Sequence, residues 1–153
     1  MSVNTREAIL QAARKIAQSQ GYNGLNFRDL AQDVGIKAAS IYYYFPGKAE
    51  LGIAVARRYW EDGALALEMI ESESPSPIDA LRRFPEIFRR SLEAENRLCL
   101  GSFMGAEKET LPPEMNAEIQ KFADVNIAWL NKLLVAAKVC DSSESESRAR
   151  AIF

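Results

Sequence analysis

Residues 26–48 read NFRDLAQDVGIKAASIYYYFPGK, and the order of caps, apolar positions and breakers along them decides the fold. Asn26 is a good N-cap because its side-chain oxygen accepts from the first free amides of a helix, and Asp29 suits the positive end of the helix dipole. Phe27, Leu30, Ala31 and Val34 recur at spacings of three and four and form one apolar face, with Arg28, Gln32 and Asp33 mostly off it. Gly35 supplies the positive φ that ends a helix at little cost. Ile36 then tucks under the turn, and residues 37–45 offer a second helix buried at Ile41 and Phe45, four apart. Pro46 and Gly47 stop it, since proline disfavours α geometry in the preceding residue and cannot donate the next backbone hydrogen bond. The result is the layout of a helix-turn-helix whose second helix is short and displayed.

The displayed faces of that helix carry Lys37, Ser40, Tyr42, Tyr43 and Tyr44. Tyrosine and serine hydroxyls donate hydrogen bonds while Lys37, Lys48 and Arg28 supply charge, a combination that suits a phosphate backbone. Ala38 and Ala39 let the helix approach closely and can touch a thymine methyl, but they carry little hydrogen-bond information, so base readout is thin. Consecutive tyrosines can also simply pack. That alternative stays open for Tyr44, nearest the buried edge at Phe45, whereas Tyr42 and Tyr43 favour DNA contact.

Charge points the same way. Residues 1–60 hold eight Lys/Arg against four acids, a net of +4, and the remainder holds eleven against seventeen, a net of −6, which together give the −2 of the chain. A basic end on an acidic remainder docks on phosphates in one orientation only. With 153 residues and 48% hydrophobic content the chain can bury one decent core or two small ones, and no run is long enough to span a bilayer. The N-terminus lacks the apolar stretch of a signal peptide, so Cys99 and Cys140 are read as reduced thiols in a cytoplasm. Histidine is absent, which removes the commonest general base and the commonest metal ligand. No catalytic spacing and no metal or cofactor site is expected.

The stretches TREAILQAARKIAQSQGY (residues 5–22) and NFRDLAQDVGIKAASIYYYFPGKAEL (residues 26–51) resemble the N-terminal DNA-binding domain of the TetR/AcrR family of bacterial repressors. The likeness covers about the first 55 residues of the chain. It implies a first helix over residues 5–20 that buttresses the helix-turn-helix, and a long helix after Phe45 that leads to a ligand-sensing domain. It also implies phosphate contacts from Tyr42, Lys48 and Tyr44, with Arg28, Lys37, Ala38, Ala39, Ser40 and Tyr43 in or beside the major groove. Ala38 departs from the polar residues often found there.

The rest of the chain reads as helices. Residues 48–70 carry Leu51, Val55 and Tyr59 at helical spacing and would be ~35 Å long. ESESPSP, residues 71–77, is a polar breaker, and Ile78, Leu81, Phe84, Phe88 and Leu92 mark another helix with Pro85 inside it, favouring a kink. Residues 99–107 form a short helix, 111–113 a break, and Met115, Ile119, Phe122, Trp129 and Leu133 the stripe of a long one. In the family such helices enclose a small molecule; here Trp60, Phe84, Phe88, Phe103, Met104, Phe122 and Trp129 are the candidate lining of a largely apolar site, with ordinary core packing as the competing role for each. Cys99 and Cys140 have nothing around them in sequence that indicates a depressed pKa, so packing is their expected role.

After the polar run 141–147, residues 148–153 read as the first turns of a helix without a cap. Family members usually carry two further helices here that build a dimer interface, so the expectation is a chain cut short. The reading is therefore an all-α, TetR-like protein with a helix-turn-helix domain over residues 1–47 and a helical effector-binding and dimerisation domain over 48–153, incomplete at the C-terminus. Its expected function is a homodimeric regulator on double-stranded palindromic operator DNA, released by a small apolar effector. A helical ligand-binding or oligomerisation module with only non-specific DNA binding is the alternative, and an enzyme using Cys99 or a carboxylate pair lacks any supporting spacing.

Overall fold

The computed structural model describes residues 2–93 and 96–153, with the side chains of residues 2–4 and 103 outside the description. Helix α1 spans Ser2–Gln20 and is followed by a single 3-10 turn at Tyr22–Gly24. Next come α2 (Phe27–Val34), α3 (Ala38–Tyr44) and the long α4 (Lys48–Glu73). The remainder is α5 (Pro77–Arg83), α6 (Glu86–Glu93), α7 (Leu100–Ala106), a 3-10 turn at Lys108–Thr110, α8 (Pro113–Ala136) and α9 (Ser142–Ile152). No strand occurs among the described residues, and no helix is long and apolar enough to cross a membrane.

The helix-turn-helix forms for the reasons legible in its residues. The Asn26 side chain accepts from the Arg28 amide at 2.8 Å, and Phe27, Leu30 and Ala31 are buried. Gly35 sits at φ 75°, ψ 33°, the left-handed conformation that a β-carbon makes costly, and its amide reaches back to Ala31 and Gln32. The Ile36 amide also returns to the Ala31 carbonyl, at 2.9 Å, which turns the chain sharply into α3.

Three helix boundaries differ from the sequence expectation. α4 continues through Glu73 because two of the acids in the polar run find cations: Glu71 pairs with Lys132 of α8 at 2.6 Å, and Glu73 with Arg83 of α5 at 3.1 Å. Pro85 separates α5 from α6 outright instead of kinking one helix; its carbonyl accepts from the Arg89 amide at 3.0 Å and so begins α6. The polar run after Asp141 is itself helical. Glu144 with Arg148 and Glu146 with Arg150 form pairs four residues apart at 3.1 and 2.8 Å, and Ser145 and Ala149 are buried on the inner side of α9.

Two apolar clusters hold these helices together. One contains Ile9, Leu30, Ile41 and Leu51 from α1 to α4 and runs without a break into Leu100, Met104, Met115 and Phe122 of α7 and α8. The other gathers Leu67, Ile70, Phe84, Trp129, Leu130, Leu133 and Ala149 from the second half of α4 with α5, α8 and α9. Between α4 and α8 lies an acid, Glu118, only 4% exposed. It accepts from Arg57 Nη2 at 2.8 Å, Trp60 Nε1 at 2.7 Å and Lys121 Nζ at 3.1 Å. Burial pushes its pKa up, but these three donors outweigh that and hold it down at about 2.

Candidate nucleic-acid interface

Helix α3 is anchored by Ile41, which is fully buried, and by Phe45 just past its end. Positions one and two after Ile41 must then point outward, and Tyr42 and Tyr43 are 57% and 83% exposed. The Tyr42 ring leans on Phe27 of α2 at 4.7 Å, which orients it without covering it. Tyr44 is half-buried and meets Tyr43 edge to face at 5.1 Å. Arg28, Lys37 and Ala39 are exposed, and Ala38 and Ser40 half-buried, so α3 presents a narrow first turn flanked by hydroxyls and cations.

Lys48 is more occupied than the sequence suggests. Its Nζ donates to the Asn23 carbonyl at 3.1 Å and stands 4.7 Å over the Tyr22 ring, which fastens the start of α4 to the turn after α1. An ammonium has three donors, so two remain for a phosphate. Arg6, counted in the net charge of residues 1–60 but not among the expected DNA contacts, adds a cation at the same end of the molecule, 5.2 Å over the Phe45 ring. Nothing in its local sequence marks it; the contact joins residues 39 apart.

The link from this face to the other helices also rests on pairs far apart in sequence. Asp62 of α4 takes Arg14 of α1 at 3.0 Å and Arg58 at 2.8 Å, and Arg58 reaches Glu7 of α1 at 3.3 Å. The Arg14 guanidinium lies 4.7 Å over the ring of Tyr59, whose hydroxyl donates to Cys99 Sγ at 3.2 Å. Burial, with the Cys99 thiol next, raises the Tyr59 pKa, so the phenol stays protonated. Glu107, after α7, accepts from the Tyr22 amide at 2.9 Å. Gly21 beside it has φ 72°, and a β-carbon there would lie 2.5 Å from the Glu107 carboxylate.

The aromatic and sulfur side chains expected to line an effector site do not gather around one cavity. Phe84 stacks on Trp129 at 5.8 Å and meets Phe88 at 5.5 Å in one cluster, Met104 is fully buried in the other, and Trp60 is held by Glu118. The Phe103 side chain lies outside the described residues. Among the described residues of this set, Phe122 alone borders the cleft of about 530 Å³ that opens between α1, α4 and α6. Packing forces inside a helical bundle explain the dispersal, since helical spacing marks a face and does not distinguish a filled interior from a hollow one.

The pattern that defines bacterial regulatory proteins of the tetR family matches residues 9–55. Over the whole fold the chain is similar to a TetR transcriptional regulator from Legionella pneumophila, with a TM-score of 0.89 at 33% identity, covering 95% of this chain and 79% of that one. It is also similar to the HTH-type transcriptional regulator RutR of Escherichia coli (strain K12), 26% identical over 129 residues, which are 82% of this chain and 59% of that protein. The regulator YxaF of Bacillus subtilis (strain 168) is 29% identical over 82 residues, 53% of this chain and 43% of that one. The chain spans about half the length of these curated relatives. It belongs to the TetR family of helix-turn-helix transcriptional regulators, which are not enzymes.

Proposed function

We propose that the chain is the operator-reading and effector-sensing part of a dimeric repressor, with residues 1–47 as the reading head and 48–153 as the body. The observation that carries this is the exposed Tyr42–Tyr43 surface on a helix whose opposite side is locked by Ile41, set in the basic part of an otherwise acidic chain. TetR-family regulators bind DNA and typically act as dimers with small-molecule effectors. On this reading Tyr42, Tyr44 and Lys48 hold phosphates. Ala38, Ala39, Ser40 and Tyr43 lie over base edges, with Arg28 and Lys37 beside them. Two copies then place their α3 helices about 34–36 Å apart on a palindromic site. A small effector with a largely apolar body favours the arrangement that does not fit the operator. It can shift the population only by its difference in affinity for the two arrangements.

Selection of bound sequences from a random DNA pool tests the reading. An inverted repeat with half-sites one helical turn apart is the expected product. Salt-dependent binding with no enriched motif would instead leave a helical module that holds DNA non-specifically, a result that the alanines at the start of α3 would explain.

A further inference from the structure

The cleft between α1, α4 and α6 has a volume of about 530 Å³, within the range of small-molecule sites. Its lining divides by chemistry. Leu10, Val55, Ala66, Ile87 and Phe122 give it apolar surface, and Arg14, Lys15, Arg58, Arg90 and Arg97 bring five cations against the two carboxylates of Glu7 and Asp62. Both carboxylates are already bound to Arg14 and Arg58. Lys15 and Arg90 are exposed and enter no ion pair among the described residues; Arg90 contributes only to the field at Glu86. Among the described residues Lys15 and Arg90 thus leave the cleft with cationic charge that Glu7 and Asp62 do not neutralise, beside enough apolar surface to take a ring or a short chain.

We infer that this cleft is the effector site and that it takes a small organic anion, a carboxylate or sulfonate on an apolar frame. The inference rests on the regulator reading above and names the chemistry of its ligand. An acid group held by Lys15 and Arg90 stands next to Arg14 and Arg58 and competes with Asp62 and Glu7 for them. Those partly exposed pairs are weak enough to exchange. They are also the ion-pair ties between α1 and α4. Exchanging them changes how α1, which packs against α2, is seated on α4 while the apolar contacts between these helices remain, so occupation of the cleft alters how the reading helix is held. A neutral ligand of the same shape fills the apolar part and leaves the ties in place.

The test uses two fluorescent probes with one frame, anilinonaphthalene sulfonate and the uncharged phenylnaphthylamine, titrated into the chain without DNA. The sulfonate is expected to bind saturably, one per chain, roughly tenfold tighter than the neutral compound. Lys15→Gln with Arg90→Gln should remove that advantage and leave the neutral compound unchanged, and Ala66→Trp, which fills the cleft, should abolish both, with melting curves confirming that each variant folds. Equal affinity for the two probes in the wild-type chain, or sulfonate binding untouched by either variant, overturns the proposal. A chain that binds the sulfonate as expected but selects no DNA motif removes the regulator reading and keeps the cleft as an anion site. One that selects a motif yet binds no sulfonate does the reverse. Equal sulfonate affinity with and without the selected DNA removes the effector role.

Discussion

Tyr42 and Lys48 show how different two proposed phosphate contacts can be. Tyr42 leans on Phe27 and offers a free hydroxyl, so Tyr42→Phe keeps the packing and should weaken binding to every DNA sequence by about 1 kcal/mol, as a filter-binding titration would register. Lys48→Ala should flatten the slope of log affinity against log salt by about one. An unchanged slope would show that Lys48 is spent on Asn23 and Tyr22. Ile41→Ala removes a fully buried side chain and should cost about 2–5 kcal/mol in denaturant unfolding, enough to disorganise α3 and weaken DNA binding without sequence preference. Glu118 brings a pH dependence. Its folded pKa of about 2 lies below the ordinary carboxylate value near 4.3, so the stability it contributes is complete above that value and is lost as pH falls toward 2. In Glu118→Gln that fall between about pH 4.5 and pH 2 should shrink in urea titrations; an identical acid limb in both proteins would count against the role of its three donors.

Among the elements, α1 to α4 were legible because their signals are local: a cap at Asn26, a left-handed glycine at Gly35, a proline after Phe45 and apolar spacing between them. The cleft proposed as the effector site was not legible in the same way. The residues expected to line such a site were chosen for being aromatic or methionine at helical spacing, and the interior fills with such residues; the cleft is lined by apolar and charged positions whose convergence depends on how α1, α4 and α6 cross. The same limit hid Glu118, an acid at a buried position that Arg57 and Trp60 of α4 together with Lys121 make tolerable, and the contact of Glu107 with the turn after α1. That contact allows a test of its own. Glu107→Ala removes the acceptor of the Tyr22 amide, so exchange of that amide with solvent deuterium should quicken while amides in the middle of α8 keep their protection. If exchange at Tyr22 stays as slow, another group holds the turn.

At the scale of the whole molecule, the proposed division into a reading head and a body is one of function, whereas the apolar interior ignores it. Ile9, Leu30 and Ile41 belong to the same cluster as Met104, Met115 and Phe122. Heating should therefore give a single calorimetric transition, with the α3 tyrosine signal and the overall helical signal lost together; two separated transitions would mean that the ends fold independently. Chimeras feel the same continuity. A head cut from this chain after residue 47 and grafted onto a relative's body would inherit neither the surface that Leu51, Met104 and Met115 supply nor the acceptor that Glu107 gives to its turn. Exchange of DNA specificity between relatives is safer by rewriting the outward positions of α3 than by transplanting the module, and a transplant that works will be one that carries α7 and the start of α8 with it.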